Sequence, residues 1–179
     1  MTTINDPDGK AAMVNDEGQL VTRSIIETEL EHASVQGNAY SWDSLELDIA
    51  AGGTMLFVRN DSDTLLVLDF LIINGSDVIC TWDVGLGEET TTPAGGTEVI
   101  GVNLNRVFSS KRAAATSRSD ETAVADADVI ARIKTPISGH HIHRLDGVIL
   151  GKNHYIQINQ ETESVSGSVG LVAHYEAPE

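Results

Sequence analysis

Residues 64–74 have the sequence TLLVLDFLIIN, and the rest of the predicted fold is built around this apolar run. Side chains of an extended chain point alternately to its two faces. One face would carry Leu65, Val67, Leu71 and Ile73, interrupted by Asp69, and the other would carry Leu66, Leu68, Phe70 and Ile72. The run is too short to cross a bilayer as a helix, and turn sequences flank it at 60–63 and 74–77. It therefore predicts a central strand that is covered on both sides.

Short segments with strand-like alternation continue on both sides of this run, and turn sequences separate them at intervals of about ten residues. They lie at 41–49, 54–60, 78–84, 98–107, 129–135, 148–150, 154–160 and 168–175. Residues 85–87 and 111–126 are predicted to be loops, and the second of these is expected to be long and mobile. The series predicts an all-β protein, an antiparallel two-sheet β-sandwich of the jelly-roll type.

Residues 1–35 differ from the rest and are predicted to form an N-terminal arm, followed by the sandwich at 36–179. Two turn clusters, NDPDG at 5–9 and NDEG at 15–18, bracket the apolar segment AAMV at 11–14. This predicts a small hairpin whose second strand lies within 19–24. Residues 24–32 fit a strand or a single helical turn equally well. Such pieces are too short to bury a core of their own, so we expect the arm to dock on a partner while the sandwich folds without it.

The excess of acidic over basic residues makes some classes of binding partner unfavourable. The 179 residues include 27 acidic and 11 basic ones, for a formal net charge of −16. Such a charge repels nucleic acid and anionic lipid, which argues against direct binding to either. An acidic surface with few lysines suits a protein exposed to high salt, so a halophilic source is plausible. The single cysteine, Cys80, lies in the apolar segment VICTW and is predicted to be a small core residue.

One cluster of potential metal ligands stands out, in the segment GHHIHR at 139–144. On a strand, His141 and His143 share one face two residues apart, a spacing at which two imidazoles can bind one metal ion. Two ligands do not complete a site. One interpretation places these histidines in a polar loop or a subunit contact. The other has three copies of His141 and His143 meeting on the axis of a trimer, where they form a six-nitrogen site.

No pattern indicates a catalytic or cofactor-binding site, and no residue is assigned to either role. A cupin-like metal-dependent enzyme would need a glutamate shortly after the His-x-His pair and a histidine one strand later, whereas RLDG follows here at 144–147. Trp42, Trp82 and Tyr40 are candidates for a platform that binds a sugar ring, although aromatic residues in strands more often belong to the core. A carbohydrate-binding adhesin module is the main alternative function, and the cupin-like enzyme is the third.

Seven segments, which together cover most of the chain, contain glycines, turn residues and strand residues that carry a family resemblance. They are GKAAMV (9–14), GQLVTR (18–23), GNAYSW (37–42), GTMLFVRN (53–60), the run at 64–74, GVNLNR (101–106) and LGKNHYIQI (150–158). Together they resemble a family of small virion proteins from tailed viruses of bacteria and archaea. The resemblance implies a jelly-roll protein on the outside of a capsid or tail, such as a decoration, turret or fibre-base subunit.

We therefore expect a non-enzymatic virion structural protein that acts by self-assembly and by attachment to the particle. The first twenty residues lack the basic start and apolar centre of a signal peptide, so we expect assembly in the host cytoplasm without export. The expected partners are further copies of the chain, in a homo-oligomer that the resemblance implies to be a trimer. The major capsid protein or another virion protein is expected to bind the arm. Neither nucleic acid nor a membrane is an expected partner.

Overall fold

A computed structural model describes residues 2–5, 11–14, 20–21, 28–75, 78–89, 95–120, 127–137, 139–162 and 165–176. These ranges are mostly extended, which confirms the predicted all-β class. In chain order the elements are β1 (Thr2–Asn5), β2 (Ala11–Val14), β3 (Leu20–Val21), α1 (Glu29–Val35), β4 (Ala39–Asp43), β5 (Leu47–Ile49), β6 (Gly53–Asn60), β7 (Leu66–Asn74), β8 (Cys80–Glu88), β9 (Thr97–Glu98), β10 (Val102–Asn103), a 3₁₀ turn (Arg106–Phe108), β11 (Ala115–Ser119), β12 (Asp128–Thr135), β13 (His140–Arg144), β14 (Ile149–Leu150), β15 (His154–Gln160) and β16 (Val165–Tyr175).

Two antiparallel sheets pack face to face and form the sandwich. The front sheet has the strand order β4-β16-β7-β13, with β10 beside β4, β14 beside β7 and β5 beside β16. The back sheet has the order β12-β8-β15-β6 and continues beyond β6 with β11 and β9. The eight main strands can be lettered from B to I in chain order, as is usual for a jelly roll; they are β4, β6, β7, β8, β12, β13, β15 and β16. With these letters the front sheet has the order B-I-D-G and the back sheet the order C-H-E-F. This is the strand order of a jelly roll, so the predicted fold is confirmed.

The core lies between the two sheets and is mainly aliphatic, with one tryptophan from each sheet. Trp42 on β4 and Trp82 on β8 are both fully buried, and Trp82 Nε1 donates a hydrogen bond to Thr135 Oγ1 at 3.0 Å. Cys80 is fully buried as well, which confirms its prediction as a core residue. Gly101 allows the backbone to approach the Trp42 ring, because a Cβ at this position would lie only 2.7 Å from it.

Strand β7 runs through the middle of the front sheet as predicted, but a β-bulge at Asp69 changes which side chains share a face. Phe70 pairs with Val172 and Leu68 pairs with Ala173, so Asp69 is left between the two pairs. The core side carries Leu66, Leu68, Leu71 and Ile73, and the other side carries Val67, Phe70 and Ile72. The predicted grouping was wrong because strict alternation does not hold across a bulge.

The predicted loop at 111–126 contains a strand. Strand β11 pairs with β6 on one side and with β9 on the other, so the prediction of a mobile loop is wrong for these residues. Residues 121–126 of the same prediction lie outside the described part of the chain. Polar side chains hold β11 in place: the Ser117 hydroxyl donates to the Val99 carbonyl at 2.6 Å, and the Thr116 hydroxyl donates to Asp61 Oδ2 at 2.6 Å. A strand held in this way does not need an apolar pattern.

Three other predicted boundaries were wrong for local reasons. The segment 41–49 divides into β4 and β5 at Leu45, which has a φ of 60° and donates its N–H to Asp43 Oδ1 at 2.8 Å. The segment 98–107 supplies β9 to the back sheet and β10 to the front sheet, because the chain crosses between the sheets there. Residues 85–87 belong to β8, and a Cβ at Gly87 would collide with the Tyr155 hydroxyl.

The N-terminal strands β1, β2 and β3 form a separate three-stranded antiparallel sheet. The predicted hairpin is confirmed, because β2 pairs with β3. For residues 24–32 the sequence allowed a strand or a helical turn, and the helical prediction is correct from residue 29. Thr28 and Glu31 form a capping box at the start of α1. Residues 22–27 lie outside the described part of the chain. Helix α1 packs on β16 and β4 and buries Ala33. The division between an arm at 1–35 and a sandwich at 36–179 stays a prediction.

Candidate functional site

The face of the front sheet that is turned away from the core carries an apolar surface. Residues directly opposite each other in antiparallel strands point to the same face. This register gives two neighbouring rows of side chains across the sheet. The first row is Val102, Ser41, Val172, Phe70 and Arg144, and the second is Asp43, Gly170, Ile72 and Ile142. These nine residues are called the outer patch.

The apolar members of the outer patch are accessible to solvent in a single chain. Ile142 is 57% exposed and Val102 is 51% exposed, while Phe70, Ile72 and Val172 are half-buried. The prediction that the central strand is covered on both sides is therefore wrong for these residues, because the back sheet covers only one of its faces. A cluster of aliphatic and aromatic side chains on the outside of a sheet is typical of an interaction surface.

Gly170 leaves a gap among the side chains of the outer patch. A Cβ at this position would make only ordinary contacts, the nearest at 3.7 Å. The Arg144 guanidinium lies 5.5 Å from the centroid of the Phe70 ring and forms a cation–π contact at one edge. An apolar centre with a polar edge is the arrangement found in many protein interfaces.

The outer patch carries few charges although the chain as a whole is strongly acidic. Asp43 and Arg144 are its only ionised members, one of each sign, whereas the formal net charge of the chain is −16. Two copies that approach through other surfaces bring many carboxylates together, which raises the electrostatic free energy. Contact through the outer patch avoids most of this repulsion.

Helix α1 lies beside the outer patch and brings the N-terminal segment next to it. His174 on β16 is buried and lines a cavity together with His32 of α1. Its Nδ1 lies 2.9 Å from Asp69 Oδ2 at the bulge. A second cavity is lined by Thr28, Glu29 and Leu30 together with Asp69, Phe70, Arg144 and Asp146. Thr28 and the start of α1 therefore lie at the edge of the outer patch.

The two histidines singled out from the sequence lie on the edge strand β13, and the prediction that they share a face is confirmed. His141 pairs with Ile73 and His143 pairs with Leu71, so both side chains point to the core side, where they are half-buried. Their rings are stacked, with centroids 6.0 Å apart. No group of three or more metal-ligating side chains occurs in the described part of the chain. A metal site that other copies complete stays a prediction.

The three aromatic residues considered for a sugar platform belong to the core. Trp42, Trp82 and Tyr40 are at most 1% exposed, and Tyr40 packs edge-on against Tyr175. Burial raises the pKa of the Tyr40 hydroxyl. None of these three rings can present its face to a ligand at the surface.

Comparison with known proteins places no constraint on the function. No protein-family model, curated protein or solved structure matches this chain. Within the described ranges, neither the α-helix nor the 3₁₀ turn has the length and apolar character needed to cross a bilayer.

Proposed function

We propose that this chain is a non-enzymatic structural subunit of a virus particle, a capsid decoration, turret or tail-fibre-base protein. It acts by assembling with copies of itself and by attaching to the particle through its N-terminal segment. The observation that carries this proposal is the outer patch, an apolar, nearly uncharged surface on a strongly acidic jelly roll. Such a surface is where two strongly acidic copies can pack against each other with the least electrostatic repulsion.

The edge of the front sheet supports the same proposal. Among the described residues, strand β13 pairs with a strand on one side only, with β7, and its Ile142 belongs to the outer patch. An exposed sheet edge next to an apolar face promotes association with other strands unless it is covered. A neighbouring subunit that packs on the outer patch would cover both features at once.

The N-terminal segment supports the attachment part of the proposal. Strands β1, β2 and β3 contain four, four and two residues, and a sheet of this size is not stable without packing against another surface. The segment is tied to the body at Thr28, next to the outer patch. The proposed partner is the major capsid protein or another virion protein.

Light scattering on the purified full chain tests self-assembly. We expect a homo-oligomer, specifically a trimer with three times the 19.1 kDa mass of the chain. This oligomer should become more stable as the salt concentration rises. The reason is screening, since the Debye length falls from about 10 Å at roughly 0.1 M salt to about 3 Å near 1 M. A chain that stays monomeric at micromolar concentration in molar salt would contradict the proposal.

Removing residues 2–27 tests attachment. We expect this variant to unfold cooperatively at nearly the temperature of the full chain, because Thr28, the capping box and Ala33 all remain. It should no longer bind the purified capsid or tail protein in a pull-down or join particles during assembly. Removing residues 2–33 also deletes most of α1, and we expect that variant to lose about 1–2 kcal/mol of stability in addition. If the variant without residues 2–27 attached as well as the full chain, the contact with the particle would lie outside these residues.

A further inference from the structure

A surface cavity of about 300 Å³ lies where the start of β4, the β6–β7 loop, residues 111–114 and the end of β16 meet. The polar residues that line it include Asn38, Ser62, Thr64, Lys111, Arg112 and Glu176. We call it the cationic cavity. Its volume is at the lower end of the range of small-molecule sites and suits one sugar ring.

We propose that the cationic cavity binds a carboxylated monosaccharide unit, such as a uronic acid residue of a surface glycan. The cavity combines two cations for the carboxylate with hydroxyl groups for the sugar hydroxyls. This inference goes beyond the proposed structural function, since it assigns a ligand to a surface away from the outer patch.

The two cations are free to receive an anion. Lys111 Nζ donates to the neutral Asn38 Oδ1 at 2.6 Å, and Arg112 is exposed without an ion-pair or hydrogen-bond partner among the described residues. By contrast, Lys152 pairs with Asp63 at 2.8 Å in the same acidic chain. Glu176 is the one carboxylate among the described residues that line the cavity, so the positive charge is in excess there. Arginine binds a carboxylate through two parallel hydrogen bonds, which gives geometry as well as affinity.

Neutral hydrogen-bonding groups line the remainder of the wall. Ser62 Oγ accepts from the Thr64 N–H at 3.0 Å and keeps its own proton to donate. The Tyr175 hydroxyl lies behind the wall beside the Ala114 backbone, where solvent does not reach it. Burial raises the pKa of Tyr175, so this hydroxyl stays protonated at neutral pH.

The segment that carries the cations is held in position. The Lys111 N–H donates to the Phe108 carbonyl at 2.8 Å, and the Asp61 N–H donates to the Ala114 carbonyl at 3.0 Å. Phe108 packs against Gly37, where any Cβ would collide with its ring. The walls of the cavity therefore exist before a ligand arrives, which reduces the loss of conformational entropy on binding.

Titration of the full chain with two matched sugars, followed by ¹⁵N-¹H NMR, tests this proposal. Methyl glucuronide and methyl glucoside differ only in the carboxylate. We expect the glucuronide to shift the amides at 62–64 and 111–114 and to bind roughly tenfold more tightly than the glucoside, as one charge-assisted hydrogen bond predicts. Arg112→Gln should weaken glucuronide binding about tenfold. Arg106→Gln, which removes an exposed arginine outside the cavity, should leave the affinity unchanged.

Several outcomes would overturn the proposal. Equal binding of the two sugars would show that the cavity does not recognise the carboxylate. N-acetylglutamate binding as tightly as the glucuronide would assign the cavity to an acidic peptide instead. Equal effects of Arg112→Gln and Arg106→Gln would place the anion elsewhere. These measurements use the isolated chain and do not depend on its oligomeric state, so they fail or succeed separately from the proposed assembly.

Discussion

The Ile142→Asp variant is expected to be a monomer under conditions in which the unchanged chain is an oligomer. Ile142 is 57% exposed on the edge strand β13 and lies in the outer patch beside Ile72. A carboxylate placed in an apolar contact loses its hydration and repels the acidic partner, which costs at least about 2 kcal/mol for each contact, or roughly a 30-fold loss of affinity. Sedimentation velocity over a range of protein concentrations measures this change directly.

Ile130→Asp is the matched control. Ile130 is 46% exposed on β12, the edge strand of the back sheet, and the same substitution there adds the same charge to the chain. We expect this variant to keep the oligomeric state of the unchanged chain and both variants to keep their circular dichroism spectra. If Ile130→Asp dissociated the oligomer and Ile142→Asp did not, the contact would lie on the back sheet and the outer patch would have another role.

The Leu71→Ala variant is expected to lower the free energy of unfolding by about 3 kcal/mol, within the range of about 2–5 kcal/mol known for buried leucines. Leu71 is fully buried on β7, where it faces Leu171 on β16. The substitution removes buried apolar surface and leaves a cavity that the rigid sheets cannot fill by relaxing. Chemical denaturation in urea, at a concentration where the chain is monomeric, measures the change.

Ile72→Ala is the control for the face of the strand. Ile72 is the next residue along β7 but points into the half-buried outer patch. We expect this variant to lose about 1 kcal/mol or less as a monomer, and its main effect should be on self-association. A loss similar to that of Leu71→Ala would mean that both faces of β7 are packed within one subunit.

The central role of β7 could be predicted from the sequence because apolar side chains on both faces leave few alternatives to an interior strand. The bulge could not be predicted. Asp69 interrupts the apolar run, and only the register with β16 shows that its carboxylate lies beside His174 instead of facing the core. Strict alternation placed Leu66, Leu68, Phe70 and Ile72 on one face of the strand. This was correct for Phe70 and Ile72, which share the outer face, and wrong for Leu66 and Leu68, which face the core.

Strands held by polar groups were the ones that the sequence did not reveal. Strand β11 has the sequence ATSRS, and its position depends on hydrogen bonds from Thr116 and Ser117 to residues far away in the chain. Prediction from local pattern has no access to such partners. The strand β8 was predicted too short for a related reason: Gly85 and Gly87 usually mark turns, but here they make room for neighbouring groups.

The candidate sites were predictable to different degrees. The shared face of His141 and His143 followed from the two-residue spacing on a strand, and the structure confirms it. The outer patch combines residues from five strands, so it requires the register. The cationic cavity was missed because Lys111 and Arg112 lie in a segment that looked like a polar loop. A pair of adjacent basic residues in so acidic a chain was a signal that could have drawn attention to it.

The bulge at Asp69 also determines how β7 would respond to a change in its length. Asp69 is an extra residue relative to β16, so a strand in which Leu68 were joined directly to Phe70 would return to simple alternation. Leu71 and Ile73 would still face the back sheet, and Phe70 and Ile72 would still face outward. A deletion at this one position thus keeps the apolar side chains of β7 on their own faces, at the cost of the partner of His174, whereas a deletion of Leu71 would exchange the inner and outer side chains over the rest of the strand. In a lineage that gains and loses single codons, Asp69 is where β7 can vary in length without turning its apolar core outward.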